Sequence, residues 1–519
     1  MKGQTFRTCL ERRQAESGVL PLATGKQKPD YERRMRNTFG NSLLTTSYSL
    51  FLAWYVFAAA AYGLTRDIPL AIFEWGMGGT FSIWLVAHIL LRRMPRTGIY
   101  PWIAVIAVLA FGWFVTSMAI LDDAITDDRL PGWDAWIPDT LLTNWSSYDA
   151  GLSSVAMIRT SVLLAAMLLA IDIWRDPRWA RTLIATMLLS AFAMVVFFFL
   201  QRTFGGPFLL SDLFNKTTLT FATYRYWGNA ASYLNLFWPL AVAVAFFAAI
   251  RKSFLWPLWF IPAAAVFAAN FLNISKAGNV LAVIGAIALS LFLLPKALLE
   301  LKRGKLKIRR GHFLGALIPI ILIAVALPFA IPWKRWEYLS NAGVSGTDRP
   351  KAYAKFLTML PDSGWIGFGP GTFQRTYRRY VKDDPEVSHT PYWVAHEDYL
   401  QTAIEWGYLG TALWAFVLIP GAVAVGWKAC RKSPRPPRET TTYRITLYDH
   451  FSAFFSTLPA PTEPAFACGA FVAILLTALH SLVDFPMQIA SLQLYFLALV
   501  ALGWSYLVRE KSDSSENPE

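Results

Sequence analysis

The sequence predicts an all-α polytopic membrane protein with about twelve transmembrane helices and one large loop that contains short amphipathic helices. Of its 519 residues, 55% are hydrophobic and only 16% are charged, which is more apolar surface than one soluble core could bury. Apolar runs long enough to cross a bilayer recur along the chain, and the basic residues fall in short clusters between them. The expected environment is therefore a lipid bilayer.

The predicted spans each contain roughly 20 mostly apolar residues. They are 43–63, 68–91, 100–121, 152–174, 181–201, 229–250, 254–272, 278–299, 313–332, 400–427, 466–485 and 488–507. The chain then divides into tails at 1–42 and 508–519, transmembrane helices 1–9 within 43–332, a large loop at 333–399, and transmembrane helices 10–12 within 400–507 with a Pro- and Thr-rich insertion at 428–465. The first tail lacks the apolar core of a cleaved signal peptide.

The basic loops predict the orientation of these spans. Clusters of Lys and Arg at 91–96, 175–181, 251–253, 302–310 and 428–438 all fall on one side, together with both termini. The positive-inside rule assigns that side to the cytoplasm, and it leaves the loops 122–150, 201–228 and 333–399 on the opposite side. No stripe of basic residues predicts a nucleic-acid partner, despite the net charge of +14.

The large loop 333–399 retains basic side chains on the side where they are not expected, which indicates an anionic ligand; the alternative is a solvated loop in which acidic residues balance the charge. Two short helices are predicted within it. Arg349-Pro350 starts one, with Tyr353, Phe356, Leu357 and Leu360 on a shared face. The second runs from Gly371 to Lys382, with Phe373, Tyr377, Tyr380 and Val381 opposite Arg375, Arg378, Arg379 and Lys382. Such helices are expected to lie flat on a membrane surface, joined by the Gly-rich link 365–371.

His396 is the candidate catalytic residue. Helical spacing from the start of the tenth span predicts that it shares a face with Tyr399, Leu400, Ala403 and Gly407. An imidazole has a reference pKa of about 6.5, so it can accept a proton from an attacking hydroxyl, and Glu397 or Asp398 could orient it. The alternative is an interfacial histidine that only binds water.

The region from 220 to 505 resembles the O-antigen ligase and polymerase superfamily. The segment from Arg349 to Tyr377 loosely supplies its glycine-rich pattern through Pro361, Gly364, Gly367, Gly369, Gly371 and Phe373. The segment AHEDYLQTAIEWGYLG supplies its histidine pattern closely, through His396, Tyr399, Leu400, Glu405, Gly407 and Gly410. The stretches 224–241, 273–285 and 480–503 also resemble parts of the family.

The resemblance implies a glycosyltransferase in a bacterial inner membrane, with its active site facing the periplasm. The donor would be a glycan on undecaprenyl diphosphate, and the acceptor a hydroxyl of a glycolipid, glycan or protein. His396 and Arg349 are the predicted catalytic residues, and the reaction is expected to invert configuration and to need no metal or other cofactor. The predicted substrate-binding residues are Arg225, Lys276, Arg375, Arg378, Glu397 and Tyr399.

Two departures from the family pattern bear on binding. Glu397 stands where the family has Asn, and Lys276 stands where it has the Arg of an S-R-G element. Lys cannot bind phosphate in the bidentate manner of Arg, so Arg225 could share the work. His480 and Asp484 form a further polar pair, with helix packing as the alternative role.

The sequence leaves three functions open. A ligase and a polymerase of the superfamily share donor and motif and differ in acceptor, with a slight preference for the ligase. A membrane transporter is the alternative from another class, because twelve spans with both termini inside is a common transporter arrangement. The absence of an internal repeat and the clustering of polar groups in one loop favour the enzyme.

Overall fold

The computed structural model describes residues 28–119, 147–204, 221–250, 256–302, 349–382, 392–431 and 458–516. Within these ranges the chain forms helices and turns, without a β-strand. The helices are α1 (Lys28–Ala60), α2 (Asp67–Leu91), α3 (Ile99–Ser117), α4 (Ala150–Arg175), α5 (Pro177–Phe204), α6 (Trp227–Ile250), α7 (Trp256–Leu272), α8 (Lys276–Lys302), α9 (Arg349–Leu357), α10 (Leu360–Ser363), α11 (Phe373–Val381), α12 (Asp398–Cys430), α13 (Pro464–His480) and α14 (Ala490–Glu516). The predicted all-α polytopic class is confirmed.

Within the described ranges, nine helices are long and apolar enough to cross a membrane: α1 to α6, α8, α12 and α14. Helices α7 and α13 are apolar but shorter, at 17 residues each. Each coincides with a predicted span, whereas the predicted span 313–332 and most of the loop 122–150 lie outside the described residues. The predicted spans and the observed helices differ most at the ends of the chain. There α1 begins at Lys28 and α14 continues to Glu516, so both helices extend into the polar flanks.

The centre of the bundle is formed by α6 and α14. Helix α6 packs against α7, α8 and α13, while α14 packs against α4 and α12. Tyr233 and Phe237 of α6 contact Tyr495 of α14, with ring centroids 5.6 and 5.3 Å from that of Tyr495. Each such aromatic pair contributes about 0.5–1.5 kcal/mol beyond the area it buries. Aromatic contacts therefore join α6 to α14 at the centre of the bundle.

A buried carboxylate joins three helices near the C-terminal end of α4. Asp172 of α4 is fully buried and accepts hydrogen bonds from Tyr48 of α1 and Trp84 of α2, at 2.6 and 2.8 Å. His88 Nε2 lies 3.1 Å from the same oxygen. A buried carboxylate is stable only when such donors surround it, so Asp172 joins three helices at this end.

A second, smaller hydrophobic core lies within the loop region that follows α8. Phe356 of α9 is fully buried, and its ring centroid lies 5.0 Å from that of Phe373 and 6.0 Å from that of Tyr377, both on α11. The expectation that α9 and α11 lie flat on a membrane surface through these faces is therefore wrong. The link between them folds α11 back onto α9, and the two apolar faces bury each other. Leu357, predicted on the apolar face, is 53% exposed.

Helix α12 is longer than a membrane is thick. Its 33 residues correspond to about 50 Å, compared with about 30 Å for the hydrocarbon core of a bilayer. The helix is interrupted at Gly407, where φ is 62° and ψ is −173°. The residues before this interruption pack against the small core, so the first part of α12 belongs to the outer layer and the rest to the bundle.

Candidate active site

His396 precedes α12 rather than lying on it. Its φ of +57° is in the left-handed region that residues other than glycine seldom adopt. The next residue, Glu397, has extended backbone and caps the helix, because its carboxylate accepts hydrogen bonds from the backbone N–H groups of Tyr399 and Leu400. The predicted helical alignment of His396 with Tyr399 is therefore wrong. The hydroxyl of Tyr353 donates to the carbonyl of His396 at 2.7 Å and holds this backbone in place.

Asp484 orients the His396 ring. Nδ1 of His396 lies 3.3 Å from Oδ1 of Asp484, and their side chains are 23% and 6% exposed. The same carboxylate oxygen accepts a hydrogen bond from Tyr226 at 3.4 Å. The ring of Phe485 packs edge-on against His396, with centroids 4.7 Å apart. With Nδ1 directed at a carboxylate, Nε2 is the nitrogen available to a substrate.

Arg349 is anchored to the same group. One guanidinium nitrogen donates to the carbonyl of Val483 at 3.2 Å, and the other donates to the hydroxyl of Tyr226 at 3.1 Å. Burial, strengthened by the charge of Asp484, raises the pKa of Tyr226 to about 12. Tyr226 therefore remains a phenol that donates to Asp484 while it accepts from Arg349. Arg349, Tyr226, Asp484 and His396 form one continuous chain of contacts.

Glu397 and Asp398, the predicted partners of His396, have other roles. Glu397 is the helix cap described above, and its burial raises the pKa of its carboxyl. Asp398 accepts a hydrogen bond from the backbone N–H of Met487 at 2.9 Å and another from the side chain of Gln488 at 3.1 Å. These contacts join α12 to the turn before α14. The prediction that either residue orients His396 is therefore wrong, and Asp484 does so instead.

The Gly-rich link is bound to α12 by a buried glutamate. The Glu405 carboxylate accepts hydrogen bonds from the backbone N–H groups of Gly371 and Phe373 at 3.0 and 3.2 Å. Gly369 donates to the carbonyl of Glu405 at 2.9 Å. The interruption at Gly407 frees backbone groups of α12 to make these contacts. The spacing of Glu405 and Gly407 thus reflects how the small core is fastened to the bundle.

Gly367 provides a test of this attachment. Its φ is +82°, and a Cβ there would lie 2.3 Å from the carbonyl oxygen of Glu405 and 2.4 Å from the amide nitrogen of Gly407. We expect Gly367→Ala to cost more than the roughly 1–3 kcal/mol of backbone strain alone and to lower the midpoint of thermal unfolding in detergent. Gly364→Ala is the matched control, because Gly364 also has positive φ but an added Cβ meets no atom within 4 Å. An equal or smaller loss in Gly367→Ala would contradict the assignment.

Two of the predicted binding residues lie at the starts of neighbouring helices. Arg225 is exposed and directly precedes Tyr226. Lys276 is exposed at the first position of α8. The turn before α8 is held against the start of α6, because Asn273 donates to the carbonyl of Trp227 at 2.9 Å. Both cations therefore lie at the end of the bundle that carries Tyr226.

The other predicted binding residues are placed less directly. Arg375 of α11 forms an ion pair with Asp149 at 3.0 Å, which fixes α11 to the start of α4. Arg378 is half-buried on the polar face of α11. Tyr399 is 49% exposed and donates to the carbonyl of Ala478 at 2.8 Å. Their part in substrate binding stays a prediction.

Sequence reasoning missed Asp484 and Tyr226 as members of the site. Sequence spacing pairs Asp484 only with His480. His396 lies 88 positions before Asp484 in the chain, so spacing does not indicate their contact. Gly228 is the second residue of α6, and a Cβ there would lie 2.0 Å from Oδ2 of Asp484. A glycine permits this close approach, but in the sequence it does not identify the segment that approaches.

The comparison with protein families matches this region. Residues 261–415 match the family model described as O-Antigen ligase. The matched segment includes Lys276, Arg349, the Gly-rich link and His396, whereas Tyr226 and Asp484 lie outside it. Comparison with curated proteins gives no significant match. Over residues 261–415, this chain is therefore similar to the O-antigen ligase family.

Proposed function

We propose that this protein transfers a glycan from undecaprenyl diphosphate to an acceptor hydroxyl at the periplasmic face of the inner membrane, as an O-antigen ligase. One observation carries the proposal. The His396 imidazole contacts the Asp484 carboxylate, and the Arg349 guanidinium is joined to the same carboxylate through Tyr226; both His396 and Arg349 lie within the segment that matches the family. The imidazole is suited to accept a proton, and the guanidinium is suited to bind a diphosphate.

Basic residues at one end of the bundle support a periplasmic location for the site, which lies at the other end. Arg96, in the loop after α2, forms an ion pair with Asp176 at 3.7 Å, just after the end of α4. Lys296 of α8 donates to the carbonyl of Arg431, just after the end of α12. The site lies at the opposite ends of these helices, where α8 and α12 begin. Because basic loops remain in the cytoplasm, this arrangement favours a site on the periplasmic side.

The proposed reaction is a single displacement. The acceptor oxygen attacks the anomeric carbon of the donor, and its proton passes to Nε2 of His396. The bond between the anomeric carbon and the diphosphate oxygen breaks, and undecaprenyl diphosphate leaves with the bonding electrons. Arg349 stabilises the negative charge that develops on this oxygen. Attack opposite to the leaving group inverts the anomeric configuration.

Asp484 is expected to act by holding the Nδ1 proton of His396 and stabilising the imidazolium that forms. Asp484→Asn should lower kcat of glycan transfer by about 10- to 100-fold, because a hydrogen bond to a charged group contributes about 1.5–3 kcal/mol. The rate is measured on purified protein, with KM determined separately. An unchanged kcat would show that the carboxylate does not assist His396.

The same site would serve a polymerase, which is the alternative within the superfamily. The described residues favour an enzyme over the transporter, since the polar side chains of the site gather at one end of the bundle rather than near its middle. A ligase and a polymerase differ in the acceptor that approaches Nε2 of His396.

The test of function uses a host that makes a glycan on undecaprenyl diphosphate but lacks its own ligase and polymerase. Wild type and His396→Ala are expressed there, and glycan length and attachment are followed on gels. Glycan on the lipid A core, formed only by wild type, supports the ligase; a ladder of carrier-linked chains supports the polymerase. Neither product from wild type in a host with both acceptors would contradict the proposal.

A further inference from the structure

A second histidine lies behind the His396 and Asp484 pair. His480 is the last residue of α13 and is fully buried. Its Nδ1 lies 2.7 Å from the hydroxyl oxygen of Ser232 on α6. Its Nε2 lies 3.8 Å from Oδ2 of Asp484 and makes no hydrogen bond among the described residues. The proposed reaction does not use this imidazole.

The two oxygens of Asp484 face different partners. Oδ1 receives the Tyr226 hydroxyl and faces Nδ1 of His396, while Oδ2 faces His480. A deprotonated Nε2 would present its lone pair to the carboxylate, which is repulsive. The favourable tautomer of His480 therefore carries its proton on Nε2, and the Ser232 hydroxyl donates to Nδ1. At 3.8 Å the Nε2 contact is electrostatic and too long for a hydrogen bond.

The segments that surround Asp484 come close to its carboxylate. The space beside Oδ2 is closed by the backbone of α6, where a Cβ on Gly228 would lie 2.0 Å away. Among the described residues, the charged and titratable groups that face Asp484 are His396 and Asp398 from the segment that starts α12, Arg349 and Tyr353 of α9, Tyr226 before α6, and His480 itself. His480 is the group that approaches Oδ2 from within the bundle.

We propose that His480, with its tautomer fixed by Ser232, is a positioning residue that holds the Asp484 carboxylate directed at His396. His480 acts through Asp484 and does not contact the substrate. Its place at the C-terminal end of α13 adds to the effect, because the helix dipole favours positive charge there and supports the polarised Nε2–H bond. This inference rests on the proposed function and extends it by one residue pair.

The test replaces His480 with two amides of different length, one reaching the position of Nε2 and the other only the position of Nδ1. In His480→Gln, the amide nitrogen can reach the position of Nε2 and still direct a donor at Asp484. In His480→Asn, the shorter amide reaches only the position of Nδ1, so it can bind Ser232 but not Asp484. We expect His480→Gln to keep kcat within about 3-fold of wild type and His480→Asn to lose about 10-fold or more.

Separate values of kcat and KM distinguish positioning from packing. Because His480 acts through Asp484 and does not contact the substrate, the loss in His480→Asn should fall on kcat and leave KM for the carrier-linked donor little changed, whereas His480→Gln should keep both values. The assay uses purified, folded protein of each variant, with undecaprenyl diphosphate-linked glycan and acceptor from the host described above. Ser232→Ala should likewise lower kcat and leave KM little changed.

Equal losses of kcat in both amide variants would overturn the inference and assign His480 to helix packing alone. A His480→Asn variant as active as wild type would also overturn it. Failure of the proposed function is recognised separately, because His396→Ala would then transfer glycan as fast as wild type.

Discussion

Replacing His396 with alanine is expected to lower the rate of glycan transfer by about 100- to 10,000-fold, the contribution of one well-placed general base. The reason is chemical. Without Nε2, the acceptor hydroxyl must lose its proton to water as it attacks, while Asp484 keeps a negative charge with no imidazolium to stabilise. The loss should appear in kcat, with KM for the carrier-linked donor changed little. The initial rate in membranes matched for protein amount gives this value.

His396→Asn is the matched control for backbone effects. The φ of His396 is +57°, a conformation that asparagine tolerates better than alanine. Its amide can also occupy the position of Nδ1 and retain the contact with Asp484. Both variants should be inactive, although His396→Asn should unfold at a temperature closer to that of wild type. Activity in His396→Asn would show that the imidazole is not the base.

Arg349→Ala has the second largest expected effect, a loss of about 100- to 1,000-fold in kcat, which is typical when one group that stabilises transition-state charge is removed. Arg349 is anchored by Tyr226 and Val483, so its guanidinium is held in place before substrate binds. Its burial would lower its pKa, but the surrounding Tyr226 and Asp484 raise it, so it stays charged. Removal also leaves Asp484 with one fewer cation nearby.

Two variants test whether geometry or charge is responsible. Arg349→Lys keeps the charge but cannot donate to Tyr226 and to Val483 in the same planar arrangement, so its kcat should lie between those of alanine and wild type. Lys351→Ala removes one positive charge from an exposed position of the same helix and should leave the rate unchanged. Equal losses in Lys351→Ala and Arg349→Ala would attribute the effect to general electrostatics.

The bundle was predictable because span length and apolar composition are local properties. The predicted span 152–174 corresponds to Ala150–Arg175, and the predicted span 229–250 corresponds to Trp227–Ile250. The packing of α9 against α11 was harder to predict from the sequence. Their amphipathic pattern identifies the buried faces correctly at Phe356 and Phe373, but a pattern does not state what covers a face. The covering surface is the partner helix, not lipid.

The contacts of the candidate site could not be predicted from the sequence. His396 and Arg349, the predicted catalytic residues, belong to one group of contacts, in which His396 contacts Asp484, Arg349 donates to Tyr226, and Tyr226 donates to Asp484. Their catalytic roles stay predictions. Glu397 carries the carboxylate nearest to His396 in sequence, but this carboxylate caps the helix that follows. A free backbone N–H group at the start of a helix is the closest partner of a glutamate there, so capping prevails. Contacts between distant segments, such as that of Asp484, depend on helix packing.

The most direct test of the account uses purified protein in proteoliposomes, with undecaprenyl diphosphate-linked glycan as the sole donor and the acceptor identified in the host. Released undecaprenyl diphosphate and transferred glycan are measured together. The account predicts that wild type releases one undecaprenyl diphosphate for each glycan it transfers, and that His396→Asn forms neither product at a comparable rate. Transfer by His396→Asn at the wild-type rate would contradict it.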